Sequence, residues 1–376
     1  MSAVRYCIFI LSFVMLVGFA TGSSSQWAWF VGDKDYSQPW VNITGSPGWS
    51  AREGLTCVAM PDGSIVILGG ENNGTHTTFH NDVWRSVDEG VTWTQQNSSA
   101  GWSPRDGFPN LILPDGSIIV AGGYQNHDSH PGDYSGSSNN TWRSVDQGVT
   151  WTEMTTQAPW VSRWQHGGVA LPDGNIVIFG GGIGANGVPP FNDIWKSTDE
   201  GATWTQINAS AGWSAREVGC SVAMPNKDIV MMGGRIPGSP PTDLNDVWVS
   251  SDEGVTWSEE NASAPWSARD APACSVMPDN SIVLMGGENS NYHDLNDTWR
   301  TTDEGKTWVE VNSSPGWLSR RSPTSVVMPD GSIVLMGGTY NTTPENWIYF
   351  NETWRVQPFG VFRSISPNWL QIAFLK

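Results

Sequence analysis

Apolar and polar residues in this chain fall into blocks that repeat. One block reads Met60-Pro-Asp-Gly-Ser-Ile-Val-Ile-Leu-Gly-Gly70: a polar turn, an unbroken apolar run, then two glycines. After a variable stretch comes Asn81-Asp-Val-Trp-Arg-Ser-Val-Asp-Glu-Gly-Val-Thr-Trp93, where single large apolar residues stand among polar ones. The pair of blocks returns as Leu113–Gly123 with Thr141–Trp151, Leu171–Gly181 with Asn192–Trp204, Met224–Gly234 with Asn245–Trp257, and Met277–Gly287 with Asn296–Trp308. A further copy, Met328–Gly338 with Asn351–Trp354, breaks off early. Apolar residues do not recur at the 3.6 spacing of a helix, whereas β-branched runs bounded by turn residues predict strands.

An arginine three residues after a tryptophan keeps time through the chain: Arg52, Arg105, Arg163, Arg216, Arg269 and Arg320. Each lies nine positions before the proline of the turn, and the intervals between them run from 51 to 58 residues. A period of this size, with Gly-Gly after an apolar run, points to a propeller rather than a helical solenoid. Each unit parses into four strands. Strand a leads from the arginine to the turn, as in Gly54–Met60. Pro61-Asp-Gly-Ser64 then reverses the chain, Pro presetting φ and Gly accepting φ > 0. Strand b, Ile65–Leu68, is apolar throughout, as a strand buried on both faces must be, and Gly69-Gly70 is expected to end it. Strand c is Val83–Ser86 and strand d Thr92–Gln95.

A four-stranded sheet cannot cover both of its own faces, so neighbouring units must cover them. The fold expected is all-β: a six-bladed β-propeller of four-stranded antiparallel blades. The last unit lacks a strand d. Trp40-Val-Asn-Ile-Thr44, ahead of the first arginine, looks like strand d elsewhere, as in Thr203–Asn208. The N-terminal strand is therefore expected to close the last blade and remove an open edge. Trp27-Ala-Trp-Phe30 is read as a further outer strand.

Composition fits this picture: 42 Gly and 24 Pro in 376 residues supply many turns. Residues 23–358 make one propeller domain. Residues 1–22 read as a secretory signal, with Arg5, the apolar run Cys7–Ala20 and small residues at Ala20-Thr-Gly22. The alternative is an uncleaved anchor, but the run is shorter than the ~20 residues a span needs. The expected localisation is secreted. The tail, 359–376, matches no unit, and its apolar stretch Trp369–Leu375 is too short to span a membrane. The formal charge of −18 disfavours nucleic acid and anionic lipid as partners. No cofactor and no metal follow from the residues.

Beyond the signal the cysteines are Cys57, Cys220 and Cys274, all in strand a of different units. They read as buried small hydrophobes, with a Cys220–Cys274 disulfide between adjacent units as the lesser alternative. Asn-x-Ser/Thr acceptors stand at Asn42, Asn73, Asn97, Asn139, Asn208, Asn261, Asn296, Asn312, Asn341 and Asn351. In a secreted protein they are glycan candidates. They are equally what a turn after a strand contains.

The link between strands c and d carries Ser86-Val-Asp88-Glu-Gly90-Val-Thr92-Trp93, repeated at Ser144–Trp151, Ser197–Trp204, Ser250–Trp257 and Thr301–Trp308. It resembles the Asp-box, Ser-x-Asp-x-Gly-x-Thr-Trp, of sialidase-type propellers. Asp88, Asp146, Asp199, Asp252 and Asp303 are expected to accept turn N–H groups, a structural role. The Gly-Gly after strand b, the Trp of Asn81-Asp82-Val83-Trp84 and the Arg that starts strand a resemble the kelch repeat, over residues 46–355. The resemblance implies a kelch-type propeller with Asp-box turns between strands c and d. It departs from the kelch pattern in having no Tyr-Asp pair after that Trp.

Eighteen of the 23 tryptophans fall at three repeated positions, which assigns them to packing between blades. Trp164 and Trp347 are off register and are candidates for ligand contact. The six arginines allow two readings: an anion-binding mouth, or equivalent salt bridges to carboxylates such as Asp82, Asp193, Asp246, Asp297 and Glu352. The b–c loops differ most between units, and function usually sits on such loops. Among them, His127-Asp-Ser-His130-Pro-Gly-Asp133-Tyr134 carries donors suited to a transition metal, although a solvated loop has the same composition. The reading preferred is a non-catalytic propeller binding glycan or protein through the b–c loop face, with His127 and His130 among the contacts. Alternatives are a sialidase-like glycoside hydrolase and a structural surface or adhesion protein. A sialidase needs a Tyr–Glu nucleophile pair and three non-equivalent arginines. The chain has an Arg235-Ile-Pro237 triplet, but in a b–c loop.

Overall fold

The computed structural model describes residues 37–44, 47–72, 78–125, 136–183, 188–343 and 346–357, and the backbone alone of 8–11, 14–21 and 24–30. Six antiparallel four-stranded sheets form the blades of a propeller, and the described residues contain no helix. In blade 1 the strands are Thr56–Ala59, Ile65–Leu68, Val83–Ser86 and Thr94–Asn97, paired in chain order. The innermost strands neighbour one another around a closed ring, the sixth meeting the first.

The last blade confirms the closure. Its order is Thr324–Val327, Ile333–Met336, Thr353–Val356 and then Val41–Thr44 from the other end of the chain. Thr353 pairs with Thr44, Trp354 with Asn42 and Arg355 with Val41. Ser24–Phe30 pairs instead with Val14–Thr21 in a small separate sheet, so Trp27–Phe30 is not an outer blade strand.

The four residues of strand b that precede Gly-Gly are buried in every blade, because they are sandwiched between two neighbouring sheets. The core is accordingly divided among the blade interfaces. Val58, Val66, Leu68 and Val83 of blade 1, for example, pack on Trp102, Phe108, Ile118 and Val120 of blade 2. The tryptophan before each arginine is 1% exposed and meets the strand d tryptophan edge to face, with centroids 5.8–6.2 Å apart. At the sixth interface the partner of Trp317 is Trp40, so the N-terminal segment supplies the missing ring as well as the missing strand.

The six arginines lie beneath the loop face, 0–1% exposed. Arg52 donates to the carbonyls of Ser50 and Gly69 and, at 2.6 and 3.1 Å, to both carboxylate oxygens of Asp82. The same Gly-Gly carbonyl is taken in every blade. Asp193, Asp246, Asp297 and Glu352 repeat the acidic partner. This arrangement is the closed set of salt bridges, not an open anion mouth. Blade 2 is the exception. Arg105 meets the neutral Asn140, one of its terminal nitrogens has no partner, and burial pushes its pKa down to about 10. The Trp142 N–H beside it is also unpaired. Asn140→Asp is expected to serve both donors and stabilise the fold by about 1.5 kcal/mol, seen as a higher urea midpoint. A lower midpoint would show that the added charge costs more in burial than it returns.

The c–d turns are built on their aspartates. Asp88 accepts the Thr92 N–H at 2.8 Å and its hydroxyl at 2.6 Å, while Ser86 donates to Asp88 and accepts from Gly90 N–H. Asp146, Asp199, Asp252 and Asp303 make the same two bonds to the following threonine. Burial opposes ionisation, but these bonds hold the carboxyls below the usual carboxylate range.

Several expectations need adjustment. In blade 4, strand b does not end at Gly233-Gly234; Ile229–Ile236 continues through them and pairs with Thr242–Ser250, raising a hairpin at the loop face. Thr339–Thr343 and Asn346–Tyr349 form a second hairpin in blade 6. All three described cysteines are free thiols, so the Cys220–Cys274 bridge is not formed. The side-chain nitrogens of Asn97, Asn208 and Asn261 donate to backbone carbonyls of the next blade's turn, at 2.9–3.0 Å.

Candidate functional site: the mouth of the central channel

The residue after each buried arginine is aimed at the axis, because neighbours alternate in direction along an extended chain. These six positions are Glu53, Asp106, Trp164, Glu217, Asp270 and Arg321. Each is paired across the backbone with the residue that follows Gly-Gly: Glu71, Tyr124, Gly182, Arg235, Glu288 and Thr339 respectively. Backbone symmetry is thus kept while the combination of the two side chains differs in every blade. The six residues after the arginines, with Glu71 and Arg235, line the end of a cavity of about 340 Å³ that runs down the axis.

One flank of the mouth is aromatic. Tyr124 lies 5.6 Å from Phe79 and 5.4 Å from Trp164, centroid to centroid. The opposite flank is charged. Arg235 donates to Asp243 at 2.7 and 3.2 Å and to Glu288 at 2.9 Å. Arg321 donates to Glu53 at 3.2 and 3.3 Å and to Glu288 at 3.3 Å, and Trp347 covers it at 4.1 Å. Three carboxyls are displaced upward. Burial raises Glu217 to about 8, with Asp270 adding and Arg235 opposing. Burial also raises Asp270 and Asp294 to about 6. Among the described residues no trio of His, Cys, Asp or Glu is placed to hold a metal ion.

A family model described as the KLHDC2/KLHL20/DRC7 Kelch-repeats domain matches residues 131–338, more than half of the chain. This chain belongs to the kelch-repeat family. Kelch propellers generally bind protein partners. Kelch domain-containing protein 10 of Homo sapiens is 24% identical over 316 residues, 77% of this chain and 67% of that protein. A xyloglucanase of Paenibacillus sp is 29% identical over 191 residues, 45% of this chain and 16% of that enzyme. Xyloglucanase Xgh74A of Acetivibrio thermocellus is 27% identical over 235 residues, 56% of this chain and 25% of its own length. The kelch chain therefore spans a quarter or less of these enzymes. Among solved structures, YjhT superposes with a TM-score of 0.59 at 14% identity, covering 81% of this chain and 95% of that one. A fungal alcohol oxidase in complex with copper gives 0.55 at 14% identity, covering 89% and 78%. At such identity these two share the fold alone.

Of the candidate residues, Trp164 lines the mouth and Trp347 stands over Arg321, while the arginine ring supports the mouth from below. His127 and His130 lie outside the described residues, as does Asn73. The channel carboxylates were missed. Their signal is present in the repeats: the position directly after the recurring arginine is acidic in four units and Trp or Arg in the other two. No membrane-crossing helix occurs among the described residues.

Proposed function

We propose that this kelch propeller is a secreted, non-catalytic binding module that holds a protein or glycan partner on the b–c loop face, over the channel mouth. The observation carrying this reading is the asymmetry of the mouth. Repeat-equivalent positions hold an aromatic flank on one side and an acid–arginine flank on the other, on an otherwise repetitive frame. Binding sites break symmetry in this way, whereas packing and turn positions keep it. The Asp-box-like turns serve the frame, and the N-terminal residues 1–22 supply the export signal.

The test is capture of partners from extracellular fluid and binding to a glycan array, comparing the intact chain with Trp164→Ala and Trp347→Ala. At least a tenfold loss of binding is expected in both variants, since buried aromatic anchors dominate such interfaces. Unchanged binding with an unchanged melting curve would overturn the assignment of the face.

The xyloglucanase likeness and the raised carboxyls of Glu217 and Asp270 favour a second reading, a glycoside hydrolase. It requires release of reducing ends from xyloglucan or from fluorogenic glycosides, lost in Glu217→Gln.

A further inference from the structure

We propose that the channel mouth binds an organic cation, a primary ammonium or guanidinium group seated between Glu217 and Asp270 with the face of Trp164 beside it. This deepens the reading of the loop face as a binding surface and rests on it.

Around the ring, Arg321 and Glu53 are closed against each other at 3.2 and 3.3 Å. Glu217 and Asp270 are different. They occupy equivalent positions on adjacent blades, and their charges repel. The Glu217 carboxyl makes no hydrogen bond or ion pair among the described residues. Asp270 is only 6% exposed, yet its Oδ1 has no partner. The nearest cation, Arg235, is spent on Asp243 and Glu288 and comes no closer than 3.9 Å to Asp270. The Ala271 N–H supports the Asp270 carboxylate, but a buried carboxylate with one oxygen unserved is still costly, and the cost falls when a cation arrives.

The third side decides the kind of cation. Trp164 lines the same cavity on the blade next to Glu217. An indole face attracts ammonium and guanidinium groups, and two carboxylates satisfy their N–H donors. A metal ion would want a compact trio of ligands, which the described residues do not offer.

The pH dependence follows from the burial. With the mouth empty, Glu217 titrates at about 8 and Asp270 at about 6. The groups facing them are each other, Arg235, Asp243 and Glu288, with the thiols of Cys220 and Cys274 further down the channel. A cation favours the ionised acids and so expels protons. Affinity should rise from pH 6 to pH 8.5 while the amine, with pKa near ~10.4, stays charged.

The experiment is calorimetric titration of the full chain with n-butylamine, ethylguanidine, an acetylated Gly-Lys-Gly amide and its norleucine analogue. The cationic probes should bind with proton release, more tightly at pH 8.5 than at pH 6, and the norleucine peptide should not. Glu217→Gln and Asp270→Asn should each weaken binding at least tenfold at pH 8, while Glu259→Gln, on the exposed outer strand of blade 4, changes nothing. A peptide that outbinds butylamine assigns the cation to a protein partner; the reverse assigns it to a free amine. Absence of binding, or a flat wild-type pH profile, overturns the proposal whether or not the variants fold. Partner capture lost in Trp164→Ala but kept in Glu217→Gln/Asp270→Asn would remove the cation and leave the binding face standing.

Discussion

Arg269→Ala is expected to destabilise the propeller by about 3–5 kcal/mol, the cost of breaking a buried charge pair by removing one partner. Arg269 is 0% exposed and each of its three guanidinium nitrogens has a partner. It donates to the Ser267 carbonyl at 2.9 Å, to the Gly286 carbonyl at 2.8 Å, and to Asp297 at 2.6 and 2.7 Å. Alanine leaves the Gly286 carbonyl and the Asp297 charge without their donor and opens a void beside Trp266, which the guanidinium covers at 5.7 Å. The loss should depend on pH. In the intact chain, burial pushes the Asp297 carboxyl up, but Arg269 and the Trp299 N–H outweigh it and hold the pKa below the usual carboxylate value. That stabilisation is present above the unfolded pKa and is lost as pH falls through the lower, folded one. In the variant burial acts with less opposition, so the folded pKa rises. Lowering the pH from 7 to 4 then relieves the variant, and the gap between the two urea midpoints narrows. A gap that is small at pH 7, or that widens in acid, would show that the ring of arginines is not what ties strand b to strand c.

How much of this was legible in the sequence follows from where each property resides. The turn at Pro61–Ser64 and the Ser86–Trp93 link are local: their hydrogen bonds join residues two to four apart, so the motif contains its own structure. Closure by Val41–Thr44 was legible because a missing strand at one end and a spare one at the other leave a single economical solution. The role of the arginines was not settled by the sequence. Arg52 lies 30 residues from Asp82, and only the fold shows that the loop face is covered at that depth. The mouth itself was legible in principle. Glu53, Asp106, Trp164, Glu217, Asp270 and Arg321 form a column directly after a constant arginine, acidic in four blades and replaced by Trp and Arg in the other two. That these side chains converge on one cavity depends on the ring of inner strands, which no single repeat contains. The free state of Cys57, Cys220 and Cys274 matches the preferred reading of the sequence, but only Cys57 is buried; Cys220 and Cys274 are half-buried because they face the channel.

The same logic makes the N-terminal strand the most consequential short segment of the chain. Each blade covers its neighbour, so losing this strand uncovers the outer part of the blade 5–blade 6 interface as well as the Thr353–Val356 edge. Trp40 is 5% exposed and packs edge to face on Trp317, within a cluster that includes Ile333, Leu335 and Val356. Asn42 donates to Glu352, the acid that pairs with Arg320, so the strand also braces the sixth member of the arginine ring. Removing residues up to Thr44 should therefore cost more than the roughly 3–5 kcal/mol of a Trp→Ala change alone. The expected result is a melting transition that falls by many degrees and broadens, together with concentration-dependent association through the bare Thr353–Val356 edge, read by thermal unfolding and gel filtration. Trp40→Ala should give the smaller share of that loss without the association. A synthetic peptide spanning 37–47, added in excess, should restore the transition of the truncated chain, because the site it fills is already shaped by Thr353–Val356 and Trp317. A truncated chain that melts cooperatively at the original temperature would mean that the ring is held by its inner strands alone, and that the pairing of the two chain ends is an ornament rather than the latch.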